Sequence, residues 1–124
     1  MVAYGEDTLS RRVYTIKFKD LSTGQYLKDE LPNTTAGGAW SNDGQYYFYT
    51  TKHPVTLLPD KIWRHKLGTS AKQDVLVYEE KDPTFYIGVY KSKSDKYITI
   101  YNSSTLVSDY RILNADNPTG EFQQ

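Results

Sequence analysis

Residues 38–80 read GAWSNDGQYYFYTTKHPVTLLPDKIWRHKLGTSAKQDVLVYEE, and the fold is decided there. The stretch holds four short runs rich in aromatic or β-branched residues: Gly38-Ala39-Trp40, Tyr46 to Tyr49, Lys61 to His65 and Asp74 to Tyr78. Each is too short for a typical helix, so strands are expected. Asn42-Asp43-Gly44 separates the first two runs, and an Asp-Gly pair suits a tight hairpin because glycine tolerates positive φ. Gly68-Thr69-Ser70 supplies turn chemistry before the last run. Four antiparallel strands in chain order make a meander.

The flanks look like incomplete copies of this unit. Upstream, Val2-Ala3-Tyr4 reads as a strand, and Val13 to Lys19 alternates apolar and polar positions as a strand with one wetter face does. A turn at Ser22-Thr23-Gly24 leads to a short edge strand at Gln25-Tyr26-Leu27, and Leu31 to Thr35 reads as a linker into the central unit. Downstream, past Lys81-Asp82-Pro83, strands are expected at Phe85 to Tyr90, Tyr97 to Tyr101 and Tyr110 to Leu113, with a turn at Ser94-Asp95-Lys96. Glu121 to Gln124 reads as the start of a fourth strand.

Laid over one another, the runs repeat. Ile16 and Leu21 recur as Ile62 and Leu67, and Asp43 before Tyr46-Tyr47-Phe48 recurs as Asp95 before Tyr97-Ile98. Four strands per repeat, with periods in the forties to fifties, is the pattern of propeller blades. The runs at 46–49, 75–78 and 97–101 are apolar on both alternating faces, as expected of a sheet covered on each side. The expected fold is all-β: a partial β-propeller of about three blades, each a four-stranded antiparallel meander. Residues 1–33 would be a partial blade, 34–80 a complete one, and 81–124 a blade truncated in its last strand. A closed ring needs at least four blades, so the expectation is an arc of a larger ring.

Composition narrows the function classes. Fifteen basic and fifteen acidic residues cancel, which removes the cationic excess that non-specific nucleic-acid binding needs. There is no cysteine, hence no disulfide, thiolate nucleophile or sulfur metal site. No apolar run approaches a membrane span, and no charged-then-apolar leader opens the chain, so a cytoplasmic location and no membrane partner are expected. Twelve tyrosines suit half-buried strand positions, where the ring packs and the hydroxyl finds a polar partner.

The residues that carry hydrolytic chemistry do not assemble into a known pattern. No G-x-S-x-G elbow occurs to lift a serine nucleophile clear of a sheet. His53 and His65 are expected at surface or loop positions, and two histidines without cysteine or ordered carboxylates make a poor zinc site. Glu6/Asp7 and Glu79/Glu80 cannot each straddle a glycosidic bond, because neighbours on a strand point to opposite faces. No catalytic residue, metal or cofactor is expected in this chain.

Three stretches carry a family resemblance: Glu6 to Arg12 leading into Tyr14-Thr15-Ile16; His53 to Pro59 followed by Ile62-Trp63-Arg64-His65 and Leu67-Gly68-Thr69; and Gln73 to Asp82. In residues and colinear spacing they resemble the oligopeptidase B branch of the prolyl oligopeptidase family. The resemblance runs over nearly the whole chain, is densest before Tyr101, and departs at Asp60, where the family pattern has an aromatic residue. It implies a seven-bladed propeller capping an α/β-hydrolase domain with a Ser-Asp-His triad, in an enzyme that cuts short peptides after Arg or Lys. The propeller would keep large folded proteins from the nucleophile. The partners it implies are that catalytic domain of the same chain and short basic peptides. By the same resemblance, Arg11, Arg12 and Thr35 would lie on the substrate-access or interdomain face. Bare blade faces and strand edges also lead to an expectation that the isolated chain self-associates. The competing reading is a self-standing, tyrosine-rich β-module that binds carbohydrate or peptide as a monomer.

Overall fold

The computed structural model describes residues 2–6, 14–52, 59–81, 84–104 and 108–123. These residues form β1 (Val2–Glu6), β2 (Tyr14–Asp20), β3 (Gln25–Trp40), β4 (Tyr46–Lys52), β5 (Pro59–Lys66), β6 (Val75–Glu79), β7 (Tyr86–Lys91), β8 (Tyr97–Ser103) and β9 (Ser108–Asn114). Within each sheet every strand pairs antiparallel with its neighbours in sequence; β1 to β6 form one sheet and β7 to β9 another. Among the described residues, a single 3-10 turn at Ala71–Gln73 interrupts the strand pattern. The all-β propeller architecture expected from sequence is what the chain adopts.

The hairpins sit where their turn residues place them. Gly24, Gly44 and Gly68 take positive φ, and Asp95 does the same at φ 60° as the one non-glycine residue to do so among the described residues. Asp43 braces the β3–β4 turn by accepting hydrogen bonds from Ser41 Oγ at 2.5 Å and Gln45 N at 2.9 Å.

The stretch Leu31 to Thr35, expected as a linker, is strand. β3 runs unbroken for 16 residues, and the short edge strand expected at Gln25 to Leu27 is only its beginning. Its first half pairs with β2 (Ile16 opposite Leu31) and its second half with β4 (Ala39 opposite Phe48), with a register shift between Thr34 and Gly38. Pro32 lies inside this stretch, and proline is tolerated where the strand changes partners and a ladder bond is absent anyway. One strand thus carries the chain from one layer of sheet into the next.

Three layers result, and two apolar clusters bind them. Between the first layer (β1, β2 and the first half of β3) and the second (the rest of β3 with β4 to β6) lie Ile16, Phe18, Leu31, Tyr47 and Tyr49. Phe18 meets Trp40, Tyr47 and His65, with ring centroids 5.7, 5.5 and 5.6 Å away. Between the second layer and the third (β7 to β9) lie Ala39, Phe48, Ile62, Ile87, Val89, Ile98, Ile100 and Leu113. Fully burying a side chain such as Phe48 or Ile62 contributes about 1.5–3 kcal/mol. The middle layer is therefore covered on both faces, as β4 shows by four consecutive buried residues, Tyr47 to Thr50.

β6 departs from the expected two-sided burial. Val75 and Leu76 remain 45% and 41% exposed, because β6 is the outermost strand of its layer and pairs with β5 alone. The expected fourth strand of the third layer amounts to one antiparallel bridge, Ile112 to Gln123.

Candidate functional site

Of the residues the sequence pointed to, Arg11, Arg12 and His53 lie outside the described residues. Thr35 is half-buried on β3, one position after Thr34, which pairs with Tyr14 on one side and Thr51 on the other. It therefore stands where β3 passes between layers, on a strand rather than in a loop.

His65 is the correction. Expected at the surface, it is fully buried on β5. β5 alternates, so His65 shares a face with Trp63, and that face is pressed against the first layer. Its Nε2 lies 2.7 Å from Asp29 Oδ2 on β3, and its Nδ1 lies 2.7 Å from Asp74 Oδ1 at the entrance to β6. Gly68 N donates to Asp29 Oδ2 at 2.8 Å, and the Tyr49 hydroxyl donates to Asp74 Oδ2. The Phe18 ring stacks on the imidazole at an interplanar angle of 15°.

The electrostatics follow from this enclosure. Burial by itself depresses the His65 pKa, but hydrogen bonds and charge from Asp74 and then Asp29 outweigh it and hold the group above the ordinary histidine value. Burial, with Asp74 behind it, pushes the Tyr49 hydroxyl up, and burial alone raises Tyr47 to about 12. Both imidazole nitrogens face carboxylate oxygens. Neither is free to take a proton from a nucleophile, so the cluster is not a general base of the triad kind. Among the described residues, no grouping of three or more potential ligands could hold a metal.

A second set of polar ties joins the second layer to the third. Asn102 donates to the Tyr78 hydroxyl and to Glu80 Oε2, each at 2.7 Å, while the Arg111 guanidinium lies 5.0 Å from the centre of the Tyr78 ring. Asn42 N donates to the Ala115 carbonyl at 2.9 Å, and Asn42 Nδ2 donates to the Asp95 carbonyl at 2.9 Å. Stacked sheets fixed by hydrogen bonds between turns hold a definite angle, which apolar contact alone would not impose.

Residues 1–124 match, over their full length, the N-terminal β-propeller domain of prolyl oligopeptidase. The chain belongs to the prolyl oligopeptidase family. Within that family it is 47% identical over 118 residues to dipeptidyl aminopeptidase BI of Pseudoxanthomonas mexicana, covering 95% of this chain and 16% of the relative. It is 40% identical over 124 residues to Protease 2 of Moraxella lacunata, covering 98% and 18% respectively. Among solved structures, oligopeptidase B from Leishmania major superposes with a TM-score of 0.88 at 31% identity, over 97% of this chain and 17% of that one. Oligopeptidase B from Trypanosoma brucei, bound covalently to antipain in a closed form, gives 0.82 at 26% over 98% and 17%. The chain thus spans under a fifth of the length of these relatives and corresponds to their propeller portion.

Sequence reasoning missed Asp29, Tyr49 and Asp74 and misplaced His65. The available signal was the parity of β5: a histidine two residues from a tryptophan, on the apolar face of a strand already assigned to a covered sheet.

Proposed function

We propose that this chain is a non-catalytic propeller segment of an oligopeptidase B-like serine peptidase, in which the propeller admits short peptides and turns away folded proteins by size. The intact enzyme would cleave after Arg or Lys and act in the cytoplasm. The observation that carries this reading is the colinear match of the stacked sheets to the Leishmania major oligopeptidase B propeller over 97% of the chain. The three layers would be successive blades (1–33, 34–80 and 81–124). Thr35, together with Arg11 and Arg12, would face the catalytic α/β-hydrolase domain of the same parent. Arginines there could pair with carboxylates across the interface and bias an opening and closing of the two domains.

The experiment uses the 124-residue chain and a parent enzyme that carries it. The chain alone is expected to leave an arginyl arylamide intact at any concentration, while the parent cleaves an N-terminally blocked arginyl arylamide and a short Lys-containing peptide but spares a folded protein. Turnover by the rigorously purified chain would overturn the non-catalytic role. Release of dipeptides from free N-termini only, as the name of the 47% identical relative suggests for that protein, would overturn the Arg/Lys oligopeptidase reading.

A further inference from the structure

We infer that the Asp29–His65–Asp74 bridge is a proton-operated clasp, which holds the first half of β3 against the β5–β6 edge of the next layer and opens when His65 loses its proton. With both carboxylates ionised, the donor count at this site calls for an imidazolium. Both atoms facing the imidazole nitrogens are carboxylate oxygens at 2.7 Å, and each carboxylate already accepts a further hydrogen bond, from Gly68 N or the Tyr49 hydroxyl. A neutral imidazole offers one N–H and one lone pair, so it satisfies one carboxylate and turns a lone pair on the other. Only an imidazolium donates to both. With the ring fully buried, water cannot repair the lost bond.

The groups that face His65 come from every element packed on it. β3 contributes the Asp29 carboxylate, the β6 entrance contributes that of Asp74, and β4 contributes Tyr47, directly opposite His65 in the ladder, and Tyr49 through Asp74. β2 contributes only the uncharged Phe18 ring. Beside the clasp, Asp29, Gly68 and Ser70 line a surface depression of about 590 Å³, with Lys28, Glu30 and Lys72 also on its wall. That opening gives the proton a short route to solvent past Asp29.

The consequence has a definite sign. A group held above its ordinary value when folded stabilises the fold fully below the unfolded histidine value, and that contribution is lost as pH rises through the folded value. Tyr47 and Tyr49, both pushed upward, stay protonated across this window. The turn from Leu67 to Asp74 should loosen first, since Gly68 N and Asp74 are both tied to the clasp.

Nitrogen-15 NMR of the full chain between about pH 6 and about pH 10 tests this. At neutral pH, His65 is expected to show two ring N–H signals. As they vanish on raising pH, the Gly68 amide should exchange faster than the hydroxide-driven rise seen at other amides. In the same interval the folding equilibrium constant should fall by up to about tenfold per pH unit, the limit for one proton. Asp74→Asn should weaken proton binding by His65 about tenfold or more, and His65→Gln should flatten the pH dependence. A neutral His65 with one ring N–H at pH 7 would overturn the clasp, as would an unchanged slope in folded His65→Gln. Should that variant fail to fold, the wild-type ring signals and Gly68 exchange decide alone.

Discussion

Two glycines on adjacent layers offer a paired test of which contacts in this stack are rigid. A methyl group at Gly38 would fall deep inside van der Waals contact with the Tyr47 hydroxyl and Cζ and would sit 2.6 Å from the Phe48 carbonyl oxygen. Tyr47 is buried against Phe18 and Trp40, and the carbonyl belongs to a paired strand, so neither can retreat. At Gly88 the atoms nearest the methyl group would all belong to the ring end of Tyr101, including Cε1 at 2.6 Å. That ring lies on the open face of the third layer, where it can swing toward water. Neither glycine has positive φ, so alanine is compatible with the backbone at both sites and gains about 0.4–1 kcal/mol by restricting the unfolded chain. Overpacking against a fixed carbonyl and a buried ring costs about 1–3 kcal/mol. Gly38→Ala is therefore expected to lose about 1–2 kcal/mol net. Gly88→Ala should stay within about 0.5 kcal/mol of wild type, the loosened Tyr90–Tyr101 pair offsetting the entropy gain. Urea unfolding followed by the fluorescence of Trp40 and Trp63, at constant m-value, reads both. Equal effects at the two sites would refute the claim that the Phe48 carbonyl, and with it the second layer, is the unyielding part of the stack.

Two further outcomes are expected. Phe48→Ala, which empties the centre of the cluster between the second and third layers, should cost about 3–5 kcal/mol and shift the urea midpoint accordingly; a loss below about 1 kcal/mol would mean the layers collapse onto the gap. The outward face of β7 to β9 exposes Tyr86, Tyr90, Tyr97, Tyr110 and Ile112, and we propose that the isolated chain pairs with a second copy through it. Sedimentation should show association that rises with concentration and is abolished by Ile112→Lys with Tyr110→Lys, and a strictly monomeric wild type would refute this.

Much of the architecture was legible because turn chemistry and strand composition are local. Asp43-Gly44, Gly68 and Asp95 each announced a turn that the structure contains, and Tyr46 to Tyr49 announced a strand buried on both faces. What escaped was non-local. The continuity of β3 through Pro32 could not be read from a window, because it depends on which strand lies on each side of the crossing. The exposure of Val75 and Leu76 depends on β6 being outermost, not on its own residues. His65 was misread for a related reason: its residue type argues for the surface, and only Asp29, distant in sequence, and Asp74 beyond the turn make its burial tolerable.

The tyrosines that lie between layers follow from the same stacking. Facing sheets leave a gap of about 10 Å, which an aromatic ring fills from one side. Phenylalanine would suffice where no polar atom needs a partner, and Phe18 and Phe48 occupy such places. Where a carboxylate or amide lies at a layer boundary, a hydroxyl at the far end of the ring reaches it: Tyr49 donates to Asp74 and Tyr78 to Glu80 within the second layer, and the Tyr78 hydroxyl accepts from Asn102 of the third. Tyr49→Phe would preserve the ring packing yet leave one oxygen of Asp74 without its donor. Apolar burial and polar ties are thus carried by the same side chains, and a stack built this way resists sliding between layers as well as separation. That property suits a domain whose role in the intact enzyme, on the reading proposed above, is to hold a fixed aperture.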